Sequence, residues 1–450
     1  MCIIARMHLL AAFALILAAT ATPVLGETVA FVGATVHTVS HGTLSPGTVI
    51  VADGVIIAVA GTDDADVPAN ASVRDLSGKV VIPGLVDTHS HIGIYPRPSV
   101  PAHGDGNDVS KPVQPQLRAL DGIWPDDPGI RMAAAGGVTT ANIMPGSGSV
   151  VSGQTAYVKL RGATIEEMLV TTPGGVTGGM KMANGENPKR AGAEKGTAPG
   201  TRMAIAWLQR DLFLRARAYQ EKRKKHLEKR AAGEESEEPA RDLELEPVVE
   251  ILERKRTVHH HTHRSDDIIT VLRLQREFGF DLVLQHASEA WKVAPEIAAA
   301  GVPVSIIALD SPGGKLEASR YRLDYGATLE RHGIAVAIHT DDFITPSRLL
   351  LRSGALAVRG GMTETGALRA LTLAPAAMLQ LDGRIGSIET GKDADLVVLS
   401  GAPFSVHTHV LETWIDGRLV FDRADPSQRR YATGGFAAGD AYPALGSAAR

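Results

Sequence analysis

Two histidines one residue apart, His89 and His91, close the segment Pro83-Gly84-Leu85-Val86-Asp87-Thr88-His89-Ser90-His91. Residues i and i+2 of a strand point to one face, so both imidazoles can meet a single metal ion. Further along, His259, His260, His261 and His263 crowd into Val258-His259-His260-His261-Thr262-His263, and His286 follows the apolar run 281–285. Asp341 follows another such run, 335–339, in His339-Thr340-Asp341-Asp342. Imidazole and carboxylate donors without thiolate suit zinc, and also manganese, cobalt or iron. The chain has 1 cysteine, Cys2, so a disulfide framework and Cys-ligated zinc or iron–sulfur sites are excluded. Alternation sends His259, His261 and His263 to one face and His260 to the other.

These donors need elements that bring distant positions together. Apolar runs at 80–82, 138–144, 156–160, 179–183, 258–261, 281–285, 302–307 and 335–339 are the candidate strands. Helical stretches separate several of them. A helix is expected over 265–278, with Ser265 as its cap, Asp266 and Asp267 at its positive end and Gly279 as its stop. Another is expected over 289–300, stopped by Gly301. Alternating strand and helix implies an α/β fold with a parallel sheet, and about eight units point to a (β/α)8 TIM-like barrel. Histidines and an aspartate at successive strand ends would then converge at one mouth. No Gly-x-Gly-x-x-Gly or Walker sequence follows an early strand, which removes the usual nucleotide signal of an open doubly wound sheet.

Both ends of the chain have a different texture. Short β-branched runs at 28–32, 36–39, 48–51 and 55–59 surround the turn Asp53-Gly54, and runs at 395–399, 413–415 and 419–421 surround Asp416-Gly417. The ends are expected to pair into one small β-sandwich domain, 27–82 plus 383–425. The barrel would occupy 83–382, with a helical insertion at about 190–257 and a C-terminal tail at 426–450. Within the insertion, 202–230 reads as one long exposed helix with a charged face.

At 450 residues, with 44% hydrophobic and 21% charged, the chain can bury a large core and is not globally disordered. Its 46 basic residues do not exceed its 50 acidic ones and aromatics are 4%, so nucleic acid is not an expected partner. Arg6, the apolar run 9–21 and the small residues around Pro23 form the pattern of a secretory signal peptide, 1–26. That run is too short for a stable membrane span. An exported protein, periplasmic or secreted, is expected.

On residues 83–91, Gly137-Val138-Thr139-Thr140, Lys181-Met182-Ala183-Asn184-Gly185-Glu186-Asn187-Pro188-Lys189-Arg190, His261, His286, Asp341 and Gly386-Ser387-Ile388-Glu389-Thr390-Gly391-Lys392-Asp393-Ala394-Asp395-Leu396, the chain resembles the amidohydrolase superfamily. The resemblance falls in its imidazolonepropionase-like and prolidase-like metal-dependent branch and covers nearly the whole mature chain. It implies the metal-binding barrel and the composite β-domain. It makes His89 and His91 ligands of a first metal, and matches His261 and His286 to the strand-five and strand-six histidines. It gives Asp341 two roles, metal ligand and proton shuttle. For strand four it leaves two candidates, Glu186 and Lys181, the latter if carboxylated; either could bridge two metals. The implied cofactor is one or two divalent ions, zinc foremost.

The implied reaction is hydrolysis of a carbon–nitrogen bond, other than an ester, in an amide, dipeptide or cyclic amide by metal-activated water. The partner would be a small amide or peptide, and a homo-oligomer is compatible with this. Asn187, Arg190 and His339 are candidate substrate contacts, and His263 reads as an exposed loop residue or an orienting neighbour. The alternatives are an imidazolonepropionase-type cyclic amidase and a non-catalytic barrel that binds metal or ligand.

Overall fold

The computed structural model describes residues 28–308, 315–434 and 438. The expected signal peptide, 1–26, lies outside the described residues. The fold is mixed α/β. The N-terminal strands are β1 (Val29–His37), β2 (Thr43–Ala52), β3 (Val55–Gly61), β4 (Ser72–Asp75) and β5 (Val80–Pro83). The middle contributes β6 (Leu85–Ser90), β7 (Val138–Ile143), β8 (Val151–Gln154), β9 (Ala156–Lys159), β10 (Met180–Ala183), β11 (Val258–Thr262), β12 (Leu282–His286), β13 (Val304–Ile306) and β14 (Val336–Ile338). The C-terminal strands are β15 (Leu396–Leu399), β16 (Val410–Ile415) and β17 (Arg418–Asp422).

Strands from both ends of the chain form one eight-stranded sheet in the order β17-β16-β15-β5-β1-β2-β3, with β4 on β1. Its turns follow from the sequence. Asp53 and Gly54 have φ of 51° and 80°, and Asp416 and Gly417 have 48° and 69°, the left-handed pairs that a two-residue hairpin requires. The two turns abut: a Cβ on Gly54 would lie 2.9 Å from the Asp416 carbonyl oxygen. The runs 28–32 and 36–39 prove to be one strand, β1, with register shifts near Ala34. This sheet has its own apolar core, in which Phe31 meets Trp414 edge-on at 5.0 Å.

The middle strands form a second sheet, β14-β13-β12-β11-β10-β8, parallel from β10 to β14, and a third, β6-β7-β9. Ser90 and Asp342 form a parallel bridge, which brings the end of β6 beside the chain that leaves β14. Every residue of β6, β7, β11 and β12 is buried, as parallel strands covered on both faces require.

The helices follow from local chemistry, with corrections. Ser265–Phe278 forms as expected and stops at Gly279, whose φ is 77°. Its N-cap, however, is Arg264 without a side-chain cap. Ser265 is diverted: its N–H and hydroxyl donate to Glu289 at 3.0 and 3.1 Å. The single helix expected over 289–300 is broken into a short 3-10 turn, Ala290–Lys292, and the helix Ala294–Ala300, with Pro295 in its first turn.

Helix Arg202–Ala231 is capped by Thr201 and buries Ile205, Leu212, Phe213 and Ala216. Phe213 stacks on Phe278 and on Phe280, each at 4.9 Å. The insertion is therefore packed along one face rather than simply solvated. The expected tail begins with a further helix, Pro426–Thr433, capped by Asp425. Among the described residues no helix is long and apolar enough to cross a membrane.

A buried cation ties the end sheet to the middle. The Lys159 ammonium, on β9, donates to Asp393 at 2.8 Å, to Asp395 at 3.0 Å and to Asp416.

Candidate functional site

The end of β6 supplies His89 and His91, and the turn after β14 supplies Asp341. Asp341 has φ of 48°, a left-handed conformation that a non-glycine residue adopts only under constraint. Its N–H donates to the His89 carbonyl at 2.9 Å, so backbone pairing fixes it beside the two histidines. Its Oδ1 lies 3.1 Å from His91 Nε2 and 3.5 Å from His89 Nε2. Behind each ring stands an orienting partner. His91 Nδ1 donates to the Met144 carbonyl at 2.6 Å, which turns Nε2 toward Asp341. His89 Nδ1 pairs with Gln285 Oε1 at 3.2 Å. Burial works to raise the Asp341 pKa, but the hydrogen bond and charge of His91, with His339 and Lys181, outweigh it and hold the carboxyl well below its usual range.

A second group stands alongside. His261 and His263, from the end of β11, and His286, from the end of β12, bring their donor atoms within 4.8 Å of one another. His286 also has a positive φ, 65°. Burial holds the pKa values of His89, His261 and His286 well below the ordinary 6.5, so these rings are neutral and able to ligate. His263 Nδ1 is tied to Ser288 Oγ at 2.8 Å, and His286 Nδ1 to His339 Nε2 at 3.1 Å. The opposite nitrogens, His263 Nε2 and His286 Nε2, have no hydrogen-bond partner among the described residues, and neither nitrogen of His261 has one. Buried polar atoms left unpaired are unfavourable, and a bound metal ion would satisfy this donor set.

The rest of the histidine run is paired within the protein or packed in the interior. His259 is used up by Tyr157 and Gln285, at 2.9 and 3.1 Å. His260 is used up by Gln209 and by the His261 carbonyl, both at 3.0 Å. His263 is only 6% exposed, so it is no loop residue in solvent. His339 is fully buried between Ser305 and His286, where it orients His286.

Of the two strand-four candidates, Lys181 reaches the histidines: its Nζ donates to His89 Nε2 at 2.9 Å. Burial lowers its pKa to about 7. Glu186 starts the next helix and belongs to none of the metal-holding groups found among the described residues. Asn187 Nδ2 donates to Ser147 at 2.7 Å. Arg190 faces Glu194 on the helix surface, at 3.9 Å. Asp342 accepts from Arg97 at 2.5 Å and from the Ser347 N–H at 2.6 Å, so it pins the loop.

Two carboxylates escape sequence reasoning. Asp87, buried on β6, accepts from the N–H groups of His89 and Thr340, both at 3.2 Å, and from the Thr340 hydroxyl. It thereby joins the first and last strands under the site, and burial raises its pKa to about 7. Its only sequence signal is an acid two residues before the first ligand candidate. Glu317 is the other. It is 5% exposed, and its Oε1 lies 3.9 Å from His261 Nε2 and 4.0 Å from His263 Nε2. Burial raises its pKa to about 7.

The sequence profile of the amidohydrolase family matches residues 80–420. The chain belongs to the amidohydrolase family. This amidohydrolase is 29% identical over 391 residues to amidohydrolase tasK of Hapsidospora irregularis, covering 84% of this chain and 40% of that relative, so it spans well under half of that protein's length. Its fold is similar to an amidohydrolase from Thermotoga maritima MSB8, with 38% identity, a TM-score of 0.82, and coverage of 88% of this chain and 100% of that one. A prolidase-like structure from Bifidobacterium longum shares the fold at 18% identity and a TM-score of 0.52, covering 91% of this chain and 100% of that one.

Proposed function

We propose that this amidohydrolase is a metal-dependent hydrolase of a carbon–nitrogen bond in an amide, dipeptide or cyclic amide. One observation carries the reading: His89, His91, His261, His286 and Asp341, remote in sequence, bring their donor atoms together, and both nitrogens of His261 and the Nε2 of His286 have no hydrogen-bond partner among the described residues. The proposed frame is a (β/α)8 barrel of which the two middle sheets are arcs. The Ser90–Asp342 bridge supports this closure. The end sheet would fold into a sandwich at β1, which pairs with β4 through Val29–Val32 and with β5 at Thr35 and Val36.

The group implied is one or two zinc ions, which His89, His91, His261, His286 and Asp341 would hold, joined by Lys181 if carboxylated. Such an ion would polarise the substrate carbonyl and make its bound water nucleophilic at neutral pH. Asp341 is ionised at neutral pH and a fifth exposed, so it can take the proton of the attacking water and return it to the leaving nitrogen. The ring partners Met144, Gln285, Ser288 and His339 keep the histidines oriented throughout. Asn187 and Arg190, on the helix after β10, are candidates to meet a substrate carboxylate. Residues 1–26 would direct export, to a periplasmic or secreted location.

The test is a hydrolysis screen of zinc-loaded protein over dipeptides, N-acyl amino acids and cyclic ureides, with metal content measured in parallel. Turnover of at least one class is expected, together with loss of metal in the His89→Ala, His91→Ala double variant. A folded double variant with undiminished metal content would sink the reading.

A further inference from the structure

We propose that His263 and Glu317 join His261 and His286 as ligands, so that the cluster contains a four-ligand cation position separate from the one at His89, His91 and Asp341. This rests on the metal-dependent reading above and extends it to two residues outside that ligand set.

Anchored and free atoms alternate around this position. Glu317 stands on the chain that follows β13, and its two oxygens are treated differently. Oε2 is fastened: the Glu186 N–H donates to it at 2.8 Å, and the Arg202 guanidinium lies 3.5 Å away. Oε1 has no hydrogen-bond partner among the described residues, yet it is buried and faces His261 Nε2 and His263 Nε2 at 3.9 and 4.0 Å. His263 repeats the pattern, with Nδ1 on Ser288 and Nε2 free, and so does His286, with Nδ1 on His339 and Nε2 free. Three side chains are thus each held at one end and left unsatisfied at the other, and His261 between them is unsatisfied at both nitrogens.

Metal–nitrogen and metal–oxygen bonds of about 2.0–2.2 Å put ligand atoms roughly 3–4 Å apart around a tetrahedral or octahedral cation. The two Glu317 separations, 3.9 and 4.0 Å, reach the upper end of that range, and the donor atoms of His261, His263 and His286 lie within 4.8 Å of one another. Three neutral imidazoles and one carboxylate suit zinc, cobalt or manganese. Glu317 also supplies the position with a carboxylate of its own, so it needs no carboxylated Lys181. Glu186 then acts through its backbone N–H, as the group that aims Glu317.

The experiment uses the full chain, stripped with chelator and titrated with cobalt(II) and with zinc, and reads bound metal and the cobalt d–d spectrum. Glu317→Gln keeps the side-chain shape and an oxygen for the Glu186 N–H but removes the charge. It is expected to lose one equivalent of metal, or to bind it at least about 10²-fold more weakly, with a changed cobalt spectrum and retained binding at His89, His91 and Asp341. His263→Asn should show the same loss and carries the test if Glu317→Gln does not fold. Glu186→Gln, which keeps the backbone N–H, should leave stoichiometry unchanged. Unchanged affinity and spectrum in a folded Glu317→Gln or His263→Asn variant would overturn this inference while leaving the metal reading intact. A wild-type chain that binds neither metal would overturn both.

Discussion

Asp341 and Asp342 are adjacent carboxylates with unlike surroundings, and their contrast tests the chemistry residue by residue. Asp341 faces His89 and His91, whereas Asp342 is spent on Arg97 and the Ser347 N–H. Asp341→Asn cannot accept the water's proton, so turnover is expected to fall by about 10²–10⁴-fold, the usual contribution of general acid–base catalysis. Asp342→Asn weakens the hold on the loop and should show in thermal stability, with turnover per folded molecule within about tenfold of wild type. Equal loss in both variants would mean that the loop, and not the carboxylate of Asp341, limits the reaction. The histidine ligand candidates and Asp341 were legible because strand alternation and strand ends leave a pattern in one dimension. Glu317 was not, because no spacing relates it to the histidines; it reaches them only when the chain after β13 folds across β11. His263 looked exposed because nothing in its neighbours announced Ser288 and Glu317.

At the scale of elements, the Lys159 cluster shows how the composite sheet is joined to the middle. Its ammonium is fully buried among Asp393, Asp395 and Asp416. Burial works to lower the pKa of Lys159, but those three carboxylates outweigh it and the value is raised. Burial likewise works to raise that of Asp416, but Lys159 and Arg161 hold it below the ordinary 3.8. The raised lysine stabilises at pH below its unfolded value of 10.5 and the contribution is lost as pH rises beyond it. The depressed Asp416 stabilises above 3.8 and its contribution is lost as pH falls. Asp395, raised by burial, has the opposite sign and offsets part of this.

Lys159→Met leaves buried carboxylates without their cation and should cost about 3–5 kcal/mol at pH 7. Urea unfolding at pH 7 and pH 3 checks it: the deficit should shrink at pH 3, and one of constant size would assign the lysine to packing instead. The sequence made both hairpin turns and most strands legible, since Asp-Gly pairs and apolar runs are local signals. It hid the join, because the partners of Lys159 stand more than 230 positions away. The misjudged helices have physical causes of the same kind. Pro295 breaks one, and Glu289 draws Ser265 away from the cap of the other.

For the molecule as a whole, so many buried imidazoles give stability and metal binding different pH dependences. Burial pushes the pKa values of His259, His260, His263 and His339 down to about 3, from an ordinary 6.5. The folded chain therefore binds fewer protons than the unfolded one between these limits. Stability is complete above pH 6.5 and is lost as pH falls toward 3. The ligand histidines must also be neutral to hold a cation; burial keeps them neutral in the folded chain well below pH 6.5, so protons displace metal only at the acid end of that interval. A metal that binds only the folded state adds about 2.7 kcal/mol when free metal is 100 times its dissociation constant. Zinc-loaded protein should thus melt several degrees above chelated protein at pH 7.5, and the gap should persist well below pH 6.5 and close only as the pH approaches about 3. Calorimetry of both forms across that range is the measurement. A zinc-dependent gap that closed already near pH 6 would mean that the ion is held by imidazoles with the ordinary value of 6.5, because buried histidines with strongly lowered values keep their metal against protons there.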